Sequence, residues 1–473
     1  MSGVCGIVRL QPNQRNQDLR NALGHMMAAG AHRGSHGANI HVTERAALGH
    51  LWLSVQREGV DEAQPVSSED GQCWITLDGE IQNTQALRQR LEHATNKQLQ
   101  QASFPRLLLE AYHLYDVGFL SFVEGIFAGA IWDGRKQQLI CFRDRFGIKP
   151  LFYSLWQSSF VFASEINQIL ALPEFKKEPN EEMIADYLCA DTSLFEASFF
   201  KGLMRVPAGC YLVVRDGAIE KKQYWDIDPA YRVELADDDA YGERFLELLE
   251  ASVRRNMMSP YVGAALSGGL DSSSIVCLAD RIRKGWGETA PMETFSLAFD
   301  DKMVDETEHV HAVGAVTNIL HNQYRSDDEN IFKHLQTVQA RQAEPFRSLG
   351  IVLFWRLKQL SAAKNIRVML TGMGADEVLG GINMFYLADF LKSGNWLGLR
   401  GALNALVKQD PFAMNYSHLQ YLKVFGMRPL LSASVRQQWR RFRGSEIPQY
   451  IDPGFAKRAN IGHRIVAKHP LVS

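Results

Sequence analysis

The segment Tyr261–Arg283, YVGAALSGGLDSSSIVCLADRIR, passes from an apolar run through Ser-Gly-Gly straight into a helical pattern. That order constrains the fold more than any other stretch, because it reads as a strand end that opens into a helix N-terminus. Glycines 268 and 269 permit positive φ and close backbone approach to a ligand. The helix that follows aims its free N–H groups and the positive end of its dipole at the turn. A polyphosphate suits such a turn. Asp271 would repel phosphate unless a divalent cation lay between them, which points to Mg²⁺. An ordinary strand–helix turn with a serine-rich cap is the plainer alternative. No Gly-Lys-Ser/Thr follows, so the turn is not a Walker A loop.

The surroundings of this turn alternate strand and helix. A helix from about Asp239 to Met258 precedes the strand Tyr261–Leu266, and the helix Ser272–Arg283 follows the turn. Strand Glu293–Phe299, helix Glu306–Thr317 and strand Ile366–Leu370 continue the series, which implies a parallel, doubly wound sheet. The last strand ends in a second loop, LTGMGADEVLGG (370–381), at the edge where such sheets collect ligands. The half of the chain before Tyr224–Pro229 reads differently. CGIVRL, AALGHLWLSV, QCWITLDGE, FAGAIWD, QLICFRD and LFYSLWQSSFVFAS are strand patterns, with helical stretches at Phe104–Tyr115 and Glu165–Leu172 between them. Antiparallel sheets with outer helices, an α+β layered domain, are expected there. A chain of 473 residues exceeds what one core serves, and the boundary falls at residues 1–228 and 229–473.

The net charge of −2 argues against a nucleic-acid binder working through a general basic field, and the basic run Arg436–Arg443 reads as a solvated helix face. The six cysteines, at 5, 73, 141, 189, 210 and 277, form no C-x-x-C pair, so neither a zinc site nor a disulfide framework is indicated. Without a signal pattern or a long apolar run, a cytoplasmic, non-membrane protein is expected.

The glycine turn resembles the SGGxDS pyrophosphate loop of ATP pyrophosphatases, and the second loop resembles the GxGADExxGG segment of asparagine synthetases. CGIV, HRG (32–34), DGEI (78–81), FRDRFGIKPLFYS (142–154), FASEI (162–166) and FFKGLMRVPAGCYLVV (199–214) match that family in order. The resemblance implies a class II (Ntn-type) glutamine amidotransferase domain, followed by an adenine-nucleotide alpha-hydrolase-like synthetase domain. It implies that Asp271 and Asp376 share Mg²⁺, and that Leu266, Ser267, Gly268, Gly269, Ser272, Leu297, Thr371 and Gly372 line an ATP site. It also implies Cys5 as the glutaminase nucleophile, a role that requires cleavage after Val4 so that the cysteine's own α-amine serves as base.

Several positions depart from the family. Its HxRLS arginine falls on Trp52, its NGE asparagine on Asp78, and its SDxE acid on Phe104. Each change is hostile to a zwitterionic amino acid, and an oxyanion-hole donor is worth about 3–4 kcal/mol. The glutaminase is therefore expected to be inactive. Met373 stands where asparagine synthetases carry glutamate. The family continues past its GADE loop to a catalytic lysine. This chain ends at Ser473, its last part is expected to be short or truncated, and Lys468 has no recognisable counterpart motif.

The pattern is similar to β-lactam synthetases and lasso-peptide cyclases. An ATP-dependent synthetase is expected that makes an acyl-adenylate from a small-molecule or peptide carboxylate and joins it to an amine of the substrate. For a lasso-peptide cyclase, a precursor peptide and a maturation protease are the partners, and a homodimer is an open assembly. A glutamine-hydrolysing asparagine synthetase and a non-catalytic nucleotide-binding paralogue are the alternatives. His32 and His36 read as loop-shaping, Met26 and Met27 as helix core, Asp305 and Glu306 as a helix cap, and Glu344–Phe346 as pocket lining in the synthetase half.

Overall fold

A computed structural model describes residues 2–11, 18–55, 63–189, 196–257, 259–302, 305–325, 330, 332–346, 348–379, 386–409, 416–432 and 450–461. The run Arg436–Arg443 and Lys468 lie outside them. The chain forms two compact units, the first comprising Met1–Glu178 with Glu196–Gly372 and the second Pro179–Phe195 with Met373–Ser473.

The N-terminal half of the first unit is built on two six-stranded antiparallel sheets. Strands β1 (Gly3–Arg9), β2 (Gly37–Val42), β3 (Ala46–Trp52), β8 (Phe152–Trp156), β9 (Ser159–Ala163) and β10 (Leu203–Arg205) form one, in the order β10-β8-β9-β1-β3-β2. Strands β4 (Val66–Ser67), β5 (Cys73–Ile81), β6 (Gly125–Asp133), β7 (Gln138–Arg143), β11 (Cys210–Arg215) and β12 (Ala218–Gln223) form the other, in the order β12-β11-β7-β6-β5-β4.

Period-two alternation decides how the layers pack. Val4 and Val8 join Leu48, Phe160 and Phe162 in a core shared with Ala128, Leu139 and Leu212 of the other sheet. The intervening Cys5 and Ile7 pack on the opposite face, against helices α1 (Leu19–Ala29) and α4 (Ile166–Leu170). Met26 and Met27 are buried in this layer. Helices α2 (Thr84–Thr95) and α3 (Phe104–Tyr115) cover the outer face of the second sheet, around Leu77, Phe127 and Phe142. The result is four layers, helix–sheet–sheet–helix.

The rest of the first unit is a four-stranded parallel sheet. Strands β13 (Val262–Ala265), β14 (Met292–Ala298), β15 (Ile319–Arg325) and β16 (Val368–Leu370) stand in the order β15-β14-β13-β16. Helices α6 (Asp238–Asn256), α7 (Leu270–Gly285) and α8 (Thr307–Val316) pack on it through Val253, Val276, Ile282, Val310 and Val313.

In the second unit, α5 (Glu181–Leu188) packs through Ala185 on Ile451, Ala456 and Ile461. The ion pair Arg458–Glu181, at 3.3 Å, ties these segments. No described helix is long and apolar enough to cross a membrane.

Candidate active site

The glycine turn sits where β13 ends and α7 begins. Gly268 has φ +93°, and a Cβ there would lie 2.8 Å from His309 Cβ and 3.0 Å from the Glu306 carbonyl oxygen, so only glycine is accommodated. The turn is held from within. The Ser267 N–H donates to Ser272 Oγ at 3.1 Å, and the Ser272 hydroxyl lies 3.2 Å from the Gly269 carbonyl it donates to. Gly269 N–H donates to Ser267 Oγ at 3.3 Å. Ser272 is buried and organises the loop, whereas Ser267 is exposed.

Gly269 is the N-cap of α7 and supplies no side-chain cap, so the first-turn N–H groups remain available to an anion. Among the described residues, and apart from its chain neighbours and its own helix backbone, a Cβ on Gly269 would meet only Ser267 Oγ within 4 Å, at 3.5 Å. This open, donor-rich cradle fits a pyrophosphate group. Ser273 Oγ, in the same turn of helix, is buried without a hydrogen-bond partner among the described residues.

The second loop meets the first at Gly372. A Cβ on Gly372 would lie 2.9 Å from Asp271 Cβ and 3.1 Å from Ser272 N, so glycine is what allows β16 to end against the first turn of α7. Thr371, beside it, is exposed. Leu297 is half-buried on β14, the strand next to β13. Leu266 is 1% exposed and belongs to the core of the parallel sheet, while its N–H donates to the Phe295 carbonyl at 2.8 Å. Its side chain and its N–H are thus both engaged within the sheet core. Asp376 lies in the second unit, exposed in the first turn of α9 (Ala375–Leu379), and Met373, two residues before that helix, is also exposed. Among the described residues no three His, Cys, Asp or Glu side chains cluster as a metal cage, and an ion held between carboxylates and phosphate oxygens needs no such cage.

Asp305 stands one residue before the N-cap position, and its carboxylate serves the start of α8 by accepting from the Thr307 backbone N–H. Its carboxylate accepts from Phe299 N–H at 3.0 Å and Thr307 Oγ1 at 3.0 Å, and these hydrogen bonds hold its pKa below the usual carboxylate value. The N-cap residue is Glu306, which makes no side-chain cap. Glu344 is buried, accepts from the Phe199 N–H at 2.9 Å and pairs with Arg205, so it ties the two halves of the first unit together.

Cys5 lies within a strand and not at a strand start. It pairs with Gly49 of β3 on one side and with Ala163 of β9 on the other. It is 0% exposed, and its thiol donates to Met27 Sδ at 3.4 Å. Burial pushes the thiol pKa far up.

The three departures from the family pattern, Trp52, Asp78 and Phe104, line a single cavity of about 460 Å³ together with His50, Lys149 and Arg367. Asp78 is 1% exposed and held by two cations, Lys149 Nζ at 3.0 Å from Oδ1 and Arg33 Nη1 at 3.3 Å from Oδ2. An ionised carboxylate only accepts hydrogen bonds, so this position offers no donor to an oxyanion. Arg33 also donates to Glu165 Oε1 at 2.6 Å and to the Ser2 carbonyl at 2.6 Å. His32 bridges Glu165 Oε1 at 2.9 Å and Arg341 at 2.6 Å, and His36 Nδ1 accepts from Ser54 N–H at 3.0 Å. The sequence reading did not single out Arg33, Lys149 and Glu165. Their signal was their presence inside the HRG, GIKP and FASEI segments.

Two family profiles match the chain: the Glutamine amidotransferase domain over residues 1–225 and Asparagine synthase over residues 244–459. Asparagine synthetase [glutamine-hydrolyzing] 2 of Bacillus subtilis (strain 168) is 27% identical over 460 residues, covering 89% of this chain and 59% of that protein. Amidase chyE of Penicillium rubens is 28% identical over 433 residues, covering 88% of this chain and 63% of that protein. The chain thus spans about three fifths of the length of these relatives. Among solved structures, the glutamine phosphoribosylpyrophosphate amidotransferase of B. subtilis complexed with ADP and GMP aligns at TM-score 0.36 and 14% identity, covering 68% of this chain and 81% of that one. The N-terminal half is an Ntn-type glutamine amidotransferase domain, and an α/β synthetase domain with a parallel sheet follows it.

Proposed function

We propose, since the chain belongs to the asparagine synthetase family, that it is an ATP-dependent amide-bond-forming synthetase that takes its amine from the substrate and not from glutamine. A substrate carboxylate oxygen attacks the α-phosphorus of ATP, the bond to the β-phosphate bridging oxygen breaks, and pyrophosphate leaves. An amine then attacks the acyl carbon of the acyl-adenylate, AMP departs, and the amine loses a proton. The observation that carries this reading is the pairing of an open glycine cradle, closed on one side by Gly372, with a cysteine sealed inside a strand.

In this reading the uncapped N-terminus of α7 and the Ser267–Gly269 backbone hold the pyrophosphate portion. Asp271 and Asp376 hold Mg²⁺, which when bound offsets the charge of the departing group. Gly372 fixes the end of β16 against Asp271, so a shift of either loop displaces the carboxylate. A lasso-peptide cyclase, closing a peptide amine onto an Asp or Glu side chain to form a macrolactam, is the specific version we favour. A precursor peptide and a maturation protease are then its partners.

The test is release of AMP and pyrophosphate from Mg-ATP across a panel of carboxylates that includes aspartate, β-amino acids and acidic peptides, with glutamate release from glutamine followed in parallel. AMP formation that depends on a carboxylate, without glutaminase activity, is the expected result. Cys5-dependent glutamate release with aspartate as acceptor would establish the asparagine synthetase reading. ATP binding without turnover on any member of the panel would establish the non-catalytic one.

A further inference from the structure

The cavity beside Trp52 has a volume of about 460 Å³, within the range of small-ligand sites. We propose that it binds a short stretch of peptide main chain through carboxamide groups and apolar surfaces, and that it does not take a free amino acid.

A free amino acid brings a carboxylate and an ammonium group, and each needs an opposite charge that is not already engaged. The charges around this cavity are engaged with the protein. Lys149 and Arg33 hold Asp78. Arg367 donates to the Ser54 carbonyl at 2.8 Å and lies 3.9 Å from the Tyr261 ring centroid. Arg88 donates to the Leu99 carbonyl at 2.9 Å, and Glu80 is likewise partnered. His50 is held neutral, because burial lowers its pKa to about 4.

The remaining polar lining is rich in primary amides: Gln82, Gln100, Gln101 and Asn256. A primary amide carries both donors and an acceptor, which is what alternating main-chain N–H and C=O groups require. Asn256 already donates to the Ser252 carbonyl at 2.9 Å, so Gln100 and Gln101 carry most of this role. Two of them already recognise one another, since Gln82 Nε2 donates to Asn256 Oδ1 at 3.1 Å. Trp52 and Phe104 line the same cavity and offer aromatic faces suited to side chains that flank the bound segment. The Trp52 ring is itself packed edge-on by His36 at 6.0 Å, so it forms a fixed wall.

The cavity is placed to matter for the second half of the unit. Asn256 ends α6, and Arg367 and Val368 stand at the start of β16, whose far end carries Thr371 and Gly372. A peptide anchored here is held at the base of the strand that carries the second loop. The inference stands apart from the reading of the ATP site, because binding is measured without turnover.

The experiment is calorimetric titration of the full chain with a blocked dipeptide, N-acetyl-leucyl-glutamine N-methylamide, and separately with free L-glutamine. The blocked peptide is expected to bind saturably in the millimolar range, and L-glutamine at least about tenfold more weakly. Trp52→Ala is expected to weaken the peptide by about tenfold or more. Gln101→Ala, at an exposed wall position that the fold does not need, is expected to weaken it by about threefold. ATP affinity and the thermal midpoint of Gln101→Ala serve as controls and should not move. Equal affinity for glutamine, no heat with the blocked peptide at 10-millimolar order, or peptide affinity untouched by both substitutions would each overturn the proposal.

Discussion

The amidotransferase cavity and the glycine turn of α7 are both built at strand ends, and they differ in what they do with charge. At the cavity wall, Asp78 and Lys149 pair with each other, and Arg33 and Glu165 behind them complete the charge network inside the protein. At the turn, the N-cap is glycine, the helix amides have no side-chain cap, and Asp271 stands partly exposed in the first helical turn. A site that neutralises its own charges has none left to hold a charged ligand. One that leaves donors and a carboxylate facing an opening is poised for a ligand carrying phosphate and a cation. The contrast gives the two halves of the first unit separate roles, and it can be attacked at either end.

The largest effect is expected at the turn. Asp271→Asn keeps the size of the side chain but removes the charge proposed to hold the cation, so AMP formation should fall by about a thousandfold, roughly 4 kcal/mol of transition-state stabilisation. The thermal midpoint should stay within a few degrees, because Asp271 is not part of the core. Coupled pyrophosphate release and differential scanning fluorimetry read the two quantities. If stability falls along with activity, the turn is structural and the contrast fails.

At the cavity the order reverses, with stability sensitive and chemistry not. Arg33 is 7% exposed and serves Asp78, Glu165 and the Ser2 carbonyl together. Arg33→Met would leave two largely buried carboxylates with weakened compensation, which costs about 3–5 kcal/mol. Urea unfolding should show a lower midpoint with an unchanged slope. AMP formation per folded molecule should change less than about threefold, since Arg33 touches neither loop of the proposed ATP site.

His50 sharpens the same point through pH. It is 2% exposed, and burial, only partly opposed by the Asp78 charge, lowers its pKa from 6.5 to about 4. Below pH 6.5 the unfolded chain takes up a proton that the folded chain refuses, so stability should fall as pH drops from 6.5 to about 4 and this contribution should be flat above 6.5. The loss amounts to about 2–3 kcal/mol across that window. His50→Gln should flatten that part of the profile when unfolding is measured at pH 7 and pH 5. An unchanged profile would mean that the cavity admits a charged imidazole.

How much of this was legible in the sequence follows from the range of each interaction. The helix Phe104–Tyr115 and the strand–turn–helix around Gly268 were readable because they depend on local periodicity and glycine placement. The retention of Gly79 in the DGE segment invites a catalytic reading, but at φ +135° a Cβ there would lie 2.0 Å from the Ile126 carbonyl oxygen, and packing alone explains it. The network around Arg33 was not readable, because its partners lie 45 and 132 positions away in the chain. Nor was the burial of Leu266, whose neighbours come from helices and strands on both sides of the turn. The helical period of α6 was plain, yet Phe245 and Leu248 on it are exposed, since period fixes which residues share a face and not what covers it.

The smallest effect is expected at Cys5, and it separates the two regions most cleanly. A cysteine nucleophile needs access, a thiolate and a base. Cys5 is paired on both sides within β1, its thiol rests on Met27, and burial disfavours the thiolate. Cys5→Ala removes one small buried group, so stability should fall by about 1 kcal/mol, with AMP formation unchanged within about twofold. A thiol reagent applied to the native protein should label the exposed Cys277 first and reach Cys5 only on unfolding. Rapid native labelling of Cys5, or a tenfold loss of turnover in a well-folded Cys5→Ala protein, would show that the first half retains chemistry of its own. The difference between a sealed scaffold and an open cradle would then no longer hold.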